Sequence, residues 1–252
     1  MRESTVHAAW KSGRHVLNGW LSIANSFSAE LMAKAGWDSI TIDLQHGLID
    51  YQAAVGMMQA IATTSTASLV RVPWNDPAII MKCLDAGAYG VICPLVNTAE
   101  EARRFVGACR YPPAGFRSMG PIRALPHAGA DYVAKAGETI VCLAMIETAE
   151  GLRNVDEIAA TPGLDGIYIG PADLSLALGL PGQLDPQAPQ VIAAIDIILG
   201  ACRNAEKRCG IHTGSVSYAK AMIEKRFDMV TVLSDARFII DGAKQTIAAL
   251  RK

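Results

Sequence analysis

The run "DLQHG" at 43–47 places an acid, an amide and an imidazole side by side ahead of a glycine. An unperturbed imidazole titrates at about 6.5, which suits proton transfer near neutrality. His46 is therefore a candidate general acid or base, and its plainer reading is a hydrogen-bonded turn residue. Arg71 interrupts the otherwise apolar "SLVRV" at 68–72. A guanidinium drawn into such a run needs an anion: a developing enolate, a substrate carboxylate, or a structural acid such as Asp43. Glu147 closes "IVCLAMIE" and Asp173 follows "GIYIG". Together they can place two carboxylates around one hard divalent cation, Mg2+ or Mn2+, with water and substrate oxygens completing its shell. Singly, each also reads as a helix-capping acid, ahead of "TAEGL" and "LSLAL". The Gly-Pro of "IGPADLS" leads into a helix start whose free backbone N–H groups can hold a carboxylate. Asp85 falls late in a helical segment and reads as a solvated acid. None of the nine lysines falls at the end of a strand-like run, so no Schiff-base amine is offered. Carbonyl chemistry would then need a metal as its electron sink.

These residues share a position in the pattern. Strand-like runs at 15–23, 39–45, 68–72, 90–96, 140–147, 166–170, 209–213 and 229–233 alternate with amphipathic segments. Such segments include "SFSAELMAKAG", "YQAAVGMMQAIATT", "DPAIIMKCLDAG", "TAEEARRFVGACR", "NVDEIAAT", "QVIAAIDIILGACRNAEK" and "SVSYAKAMIEKR". Several end in Gly or a basic residue, and Asn or Thr precedes others as a cap would. Eight strands with helices between them predict an α/β protein, a closed (β/α)8 TIM barrel over residues 1–252 as a single domain. An open doubly wound sheet is the runner-up, but no GxGxxG follows the first strand. In a barrel the chemistry collects at the strands' C-terminal ends. Trp20, Asp43-Gln45-His46, Arg71, Glu147, Asp173 and His212 all fall there. Two long segments, 110–132 and 170–189, read as loops.

Composition narrows the function classes. Half of the 252 residues are apolar and only 6% aromatic, which suits helices packed on a parallel sheet. Net charge is −1 with scattered Lys and Arg, so a nucleic-acid partner is not expected. No apolar run reaches membrane-spanning length and no signal-peptide segment is evident, so a cytoplasmic protein with no membrane partner is expected. The six cysteines show no paired spacing and read as buried free thiols.

The motifs "DLQHG", "VRVPWNDP", "KCLDAGAYGVICPLVNTAEEA", "RYPPAGFRS" and "IETAEGLRNVDEIAATPGLDGIYIGPADLS" occur in this order. With the short "LG" turn that follows, they resemble the class II, metal-dependent pyruvate aldolases, the HpcH/HpaI-type group of 4-hydroxy-2-oxoheptanedioate aldolases. The resemblance spans nearly the whole chain, and "DLQHG" is similar to the version in bacterial hydroxy-ketoacid aldolases that accept hydroxypyruvate. It implies a barrel of the phosphoenolpyruvate/pyruvate type, assembled as a homo-hexamer (a trimer of dimers) with the last helix swapped between subunits. Glu147 and Asp173 would bind the divalent ion, Mg2+ or Mn2+ with Co2+ as a third candidate. Backbone N–H groups of Ala172 and Asp173 would hold the 2-oxo acid's carboxylate. Arg71 would stabilise the enolate and orient the aldehyde, and His46, paired with Asp85, would move protons. Trp20 and His212 would line the aldehyde pocket, with Asp43 and Gln45 one layer behind the reacting groups. Three positions depart from the usual pattern: Gln45 replaces a Glu, Met145 a Gln, and His212 an aliphatic residue.

The implied reaction is reversible carbon–carbon cleavage of a 4-hydroxy-2-oxo acid into pyruvate or hydroxypyruvate and an aldehyde, through a metal-stabilised enolate. The alternatives are a CoA-thioester lyase of the malyl or citramalyl type, which needs a cationic nucleotide surface the chain does not suggest, and a non-catalytic barrel.

Overall fold

The computed structural model describes residues 3–251. Eight strands form: β1 (Val16–Leu21), β2 (Ser39–Asp43), β3 (Ala67–Arg71), β4 (Gly90–Cys93), β5 (Val141–Ile146), β6 (Gly166–Ile169), β7 (Arg208–Thr213) and β8 (Met229–Val232). Each pairs in parallel with its sequence neighbours, and β1 pairs with β8, closing the barrel. The strands consist almost wholly of buried residues, as expected where helices cover the outside and side chains fill the inside.

The helical segments of the sequence are present, and side chains fix where most begin. Asn25, Asp50, Asp76, Thr98, Ser215 and Ser234 each accept a backbone N–H from the first turn that follows. Thr98 and Glu101 complete a reciprocal capping box. Each such cap stabilises its helix by about 1 kcal/mol.

Side chains of a strand alternate between faces. Asn18 bonds to Thr41 and Thr231, and Tyr168 bonds to Thr231, so these four meet inside the barrel. One further inward position along β1, β2 and β7 reaches Trp20, Asp43 and His212 at the C-terminal rim. In β2 and β3 the register sets Asp43 opposite Arg71. In β5 and β6 Ile146 faces Ile169, so Glu147 emerges beside Gly170.

The two segments read as loops are partly helical. Residues 110–132 contain the helix Ala124–Ala128 and lead directly into Tyr132–Thr139, while 170–189 open with the helix Pro171–Ala177. Arg117 pulls the first segment back onto the barrel. Its side chain is buried, bonded to Asp85 at 2.7 Å and set over the rings of Tyr111 and Tyr132. The six cysteines are buried free thiols, as the sequence predicted. Among the described residues no helix is long and apolar enough to cross a membrane. The last helix, Asp235–Leu250, is anchored through its first residue: the buried Asp235 carboxylate accepts hydrogen bonds from the backbone of Ser22 and Ile23 and from the Ser22 hydroxyl.

Candidate active site

Asp43 organises the rim. Arg71 donates Nε to its Oδ1 at 2.8 Å and Nη2 to its Oδ2 at 2.6 Å, a two-pronged pair between buried groups. Trp20 Nε1 donates to the same carboxylate at 3.3 Å, and the backbone N–H groups of Gln45 and His46 donate to Oδ1. Burial alone would raise the Asp43 pKa, but Arg71 and the two backbone donors outweigh it and hold the carboxyl below its ordinary value. The "DLQHG" turn thus closes on its own first residue. Gly47 makes that closure feasible, because a Cβ there would lie 2.2 Å from the Asp43 carbonyl oxygen.

Arg71 holds a structural anion and still faces room for a reactant's. Asp43 occupies Nε and Nη2, which leaves Nη1 without a hydrogen bond among the described residues, and Arg71 lines a cavity of about 230 Å³. Met145, Gly170, Pro171, Ala172 and Asp173 form the rest of its inner wall. Pro171 starts a helix there, and the N–H groups of Ala172 and Asp173 have no partner among the described residues.

Glu147 lies behind Gly170, only 3% exposed. Its Oε1 accepts the Leu95 N–H at 2.9 Å, while Oε2 sits where a Cβ on Gly170 would come within 2.6 Å. Burial pushes the Glu147 pKa up to about 7; the Leu95 bond opposes this, and the Asp173 charge adds to it. Asp173 is exposed and forms no hydrogen bond or ion pair among the described residues. Two like charges, one of them poorly solvated, fit a hard divalent cation with oxygen ligands. Among the described residues no cluster of three or more His, Cys, Asp or Glu suited to a metal is present. A cation here would therefore take two protein carboxylates and draw its remaining ligands from water and substrate.

A second cavity, of about 650 Å³, adjoins the first. Both are lined by His46, Leu184 and His212, which form their common boundary. The outer cavity adds Trp20, Ser22, Asp43, Gln183, Asp185, Gly214, Ser234 and others. Trp20 meets His212 edge-on at 4.8 Å and stacks on Tyr168 at 6.0 Å. Burial, then the charge of Arg71, push the His212 pKa down to about 4.

One expectation is not met within the chain: the Asp85 carboxylate bonds Arg117 rather than His46, and Asp85 lines neither cavity. Gln45, expected one layer behind the reacting groups, lines neither cavity, and its buried side-chain oxygen has no hydrogen-bond partner among the described residues. Sequence reading missed Leu184, Asp185 and Ser234 as cavity walls, and Leu95 as the donor to Glu147. For Leu184 and Asp185 the available signal was the length of the Pro- and Gly-rich segment 170–189 at the C-terminal face of the barrel.

Residues 17–242 match the family model described as HpcH/HpaI aldolase/citrate lyase. A hydroxypyruvate/pyruvate aldolase of Rhizorhabdus wittichii is 42% identical over 246 residues, 98% of each chain. A 4-hydroxy-2-oxo-heptane-1,7-dioate aldolase of Salmonella dublin is 40% identical over 245 residues, 95% of this chain and 92% of that protein. A crystal structure of a Burkholderia cenocepacia HpcH/HpaI aldolase/citrate lyase family protein superposes with a TM-score of 0.89 at 31% identity, covering 94% of this chain and 95% of that one. With the barrel, the carboxylate pair and the Arg71–Asp43 clamp in place, the chain belongs to the HpcH/HpaI aldolase/citrate lyase family.

Proposed function

We propose that this aldehyde-lyase binds pyruvate or hydroxypyruvate in the inner cavity and an aldehyde in the outer one, and makes or breaks the bond between them. The observation that carries this reading is the pair of adjoining cavities. The inner one bears an uncommitted guanidinium nitrogen and two free backbone N–H groups, features suited to an oxo acid. The outer one has room for a second reactant. The name of the similar Rhizorhabdus wittichii aldolase gives the same donors, and that of the Salmonella dublin aldolase gives a 4-hydroxy-2-oxo acid.

In this reading Ala172 and Asp173 donate their backbone N–H groups to the donor's carboxylate. Arg71, held in place by Asp43, directs Nη1 at the oxygen that becomes negative when the donor loses its C3 proton. Glu147 and Asp173 would hold a divalent cation, Mg2+ or Mn2+, which would supply positive charge beside the donor's oxygens. His46 stands exposed at the boundary of the two cavities, where its imidazole can take a proton from one reactant and return it to the other. Trp20 and His212 wall the aldehyde side.

The test is proton NMR of pyruvate in D2O with metal-free protein, then with added Mg2+. Metal-dependent loss of the methyl signal, above a metal-only control, is expected. Folded, metal-loaded protein that leaves the signal intact would overturn the donor assignment. We also propose a homo-oligomer, a hexamer built as a trimer of dimers, with the last helix lying on a neighbouring subunit. Its support is the exposed apolar face of that helix.

A further inference from the structure

His212 differs from the rest of the rim in that the barrel interior fixes which of its nitrogens bears hydrogen. Its Nδ1 lies 3.4 Å from the Tyr168 hydroxyl. Tyr168 donates its one hydrogen to Thr231 Oγ1 at 2.7 Å. That oxygen also accepts from Asn18 Nδ2 at 2.8 Å, and the second amide hydrogen of Asn18 goes to Thr41 Oγ1 at 3.0 Å. Ser39 and Thr41 in turn donate to Asn18 Oδ1. With the Tyr168 hydrogen spent on Thr231, its contact with His212 is completed only by Nδ1–H donating to the phenol oxygen.

A neutral imidazole carries one N–H. Burial and the nearby Arg71 charge keep this ring neutral at physiological pH. With Nδ1 protonated, Nε2 presents a lone pair, and no described residue bonds to it. A ring this weakly basic does not hold a proton near neutrality, so Nε2 accepts hydrogen bonds rather than transferring protons.

We infer that His212 is a specificity-determining residue: its Nε2, kept as an acceptor by the Asn18–Thr231–Tyr168 chain, selects aldehydes that carry a hydroxyl on the carbon next to the carbonyl. The inference rests on the aldolase reading above. The position follows from the boundary between the cavities, since His212 lines both and so meets the atoms nearest the new bond. At the same boundary Leu184 is apolar, and His46 stands exposed where the proposed reaction uses it for proton transfer. On the outer side Asp43 already accepts from Arg71, Trp20 and two backbone amides. An aldehyde without the hydroxyl leaves Nε2 unpaired in a partly desolvated site.

Glycolaldehyde and propanal have the same number of heavy atoms and differ in that hydroxyl. With pyruvate as donor, the native enzyme is expected to favour glycolaldehyde in kcat/KM. His212→Phe is expected to lower the glycolaldehyde-to-propanal ratio about tenfold, or about 1.4 kcal/mol. His212→Gln, whose amide oxygen can accept in place of Nε2, is expected to retain the preference. Tyr168→Phe releases the tautomer, so it should reduce the ratio in the native background and have no effect on it beside His212→Phe. NMR of 15N-histidine-labelled enzyme, with the His212 signal assigned by its loss in His212→Phe, is expected to show Nε2 without hydrogen. A protonated Nε2, or an unchanged ratio in His212→Phe, overturns the inference. Pyruvate methyl exchange in the native enzyme separates the two levels. Exchange with an unchanged ratio removes the role of His212 alone, whereas absent exchange removes the aldolase reading and this inference with it.

Discussion

Glu147 is placed where its charge is costly, and the cost has a sign that can be measured. Its folded pKa, about 7, lies above the ordinary carboxyl value, because burial and then Asp173 disfavour the anion against the help of Leu95. In metal-free protein the fold therefore favours protonated Glu147. Stability from this group is full at low pH and declines as pH rises from the unfolded value toward about 7. A divalent cation must displace that proton. Its affinity should fall about tenfold per unit below pH 7, with proton release on binding at pH 6. Calorimetry in two buffers of different ionisation enthalpy reads the proton directly, and a pH-independent affinity would contradict the assignment. Glu147→Gln should lose metal and turnover, while metal-free protein at pH 8 becomes no less stable in urea. Arg71→Lys keeps the charge but not the fork that grips Asp43. A fall of about 10²–10³ in kcat with an unchanged circular dichroism spectrum is expected; near-native turnover would remove Arg71 from the chemistry. At this scale the sequence made the residue types legible, because polar side chains at the ends of apolar strands are conspicuous. It did not make their partners legible. Nothing in the spacing of Asp85 and Arg117, 32 positions apart, announces an ion pair; from the residues alone Asp85 reads as a solvated acid, and its pairing with His46 is implied only by the resemblance.

Elements hold these groups in register, and two glycines show how closely. At Gly170 an added methyl would lie 2.5 Å from Met145 Cε and 2.6 Å from Glu147 Oε2. Met145 can bend away, but the carboxylate is also tied to Leu95. Gly170→Ala should therefore damage metal binding more than folding, seen as a raised metal requirement for exchange with a small shift in Tm. Gly47→Ala meets backbone instead, 2.2 Å from the Asp43 carbonyl, and neither atom can swing aside. That variant should lose about 1–3 kcal/mol in urea denaturation, and a smaller loss would mean that the turn re-forms elsewhere. The same contrast explains what was legible among the elements. Strands and flanking helices follow a period of burial, so all eight strands were readable to within three residues. The segments 110–132 and 170–189 have no such period. Their short helices are held by tertiary contacts, such as Arg117 lying against Tyr111 and Tyr132, which no local pattern encodes.

For the molecule as a whole, the last helix is the element left almost wholly exposed. Of its residues Asp235–Leu250 only Asp235 is buried, and Phe238, Ile239, Ile240 and Ile247 expose large apolar side chains, Ile239 at 60%. Beside them Phe27 and Leu31 are also exposed, and Phe27, Leu31, Phe238 and Ile239 line an apolar cleft of about 300 Å³. Apolar surface left in water forgoes about 25 cal/mol for each Å² that a partner would cover, and a contiguous exposed patch marks a contact surface. The cap of the helix, Ser234, lines the outer cavity together with Leu233 and Arg237, so whatever covers the helix lies close to the proposed aldehyde entrance. A second copy of this chain meets both conditions in the proposed hexamer. Light scattering on the native protein at micromolar concentration should give a mass six times the 26.7 kDa chain. Ile239→Asp, which places a charge in the covered face without touching either cavity, should reduce that mass and lower Tm. A native protein that runs as a monomer would show that the helix folds unaided, and the exposed face would then need another occupant.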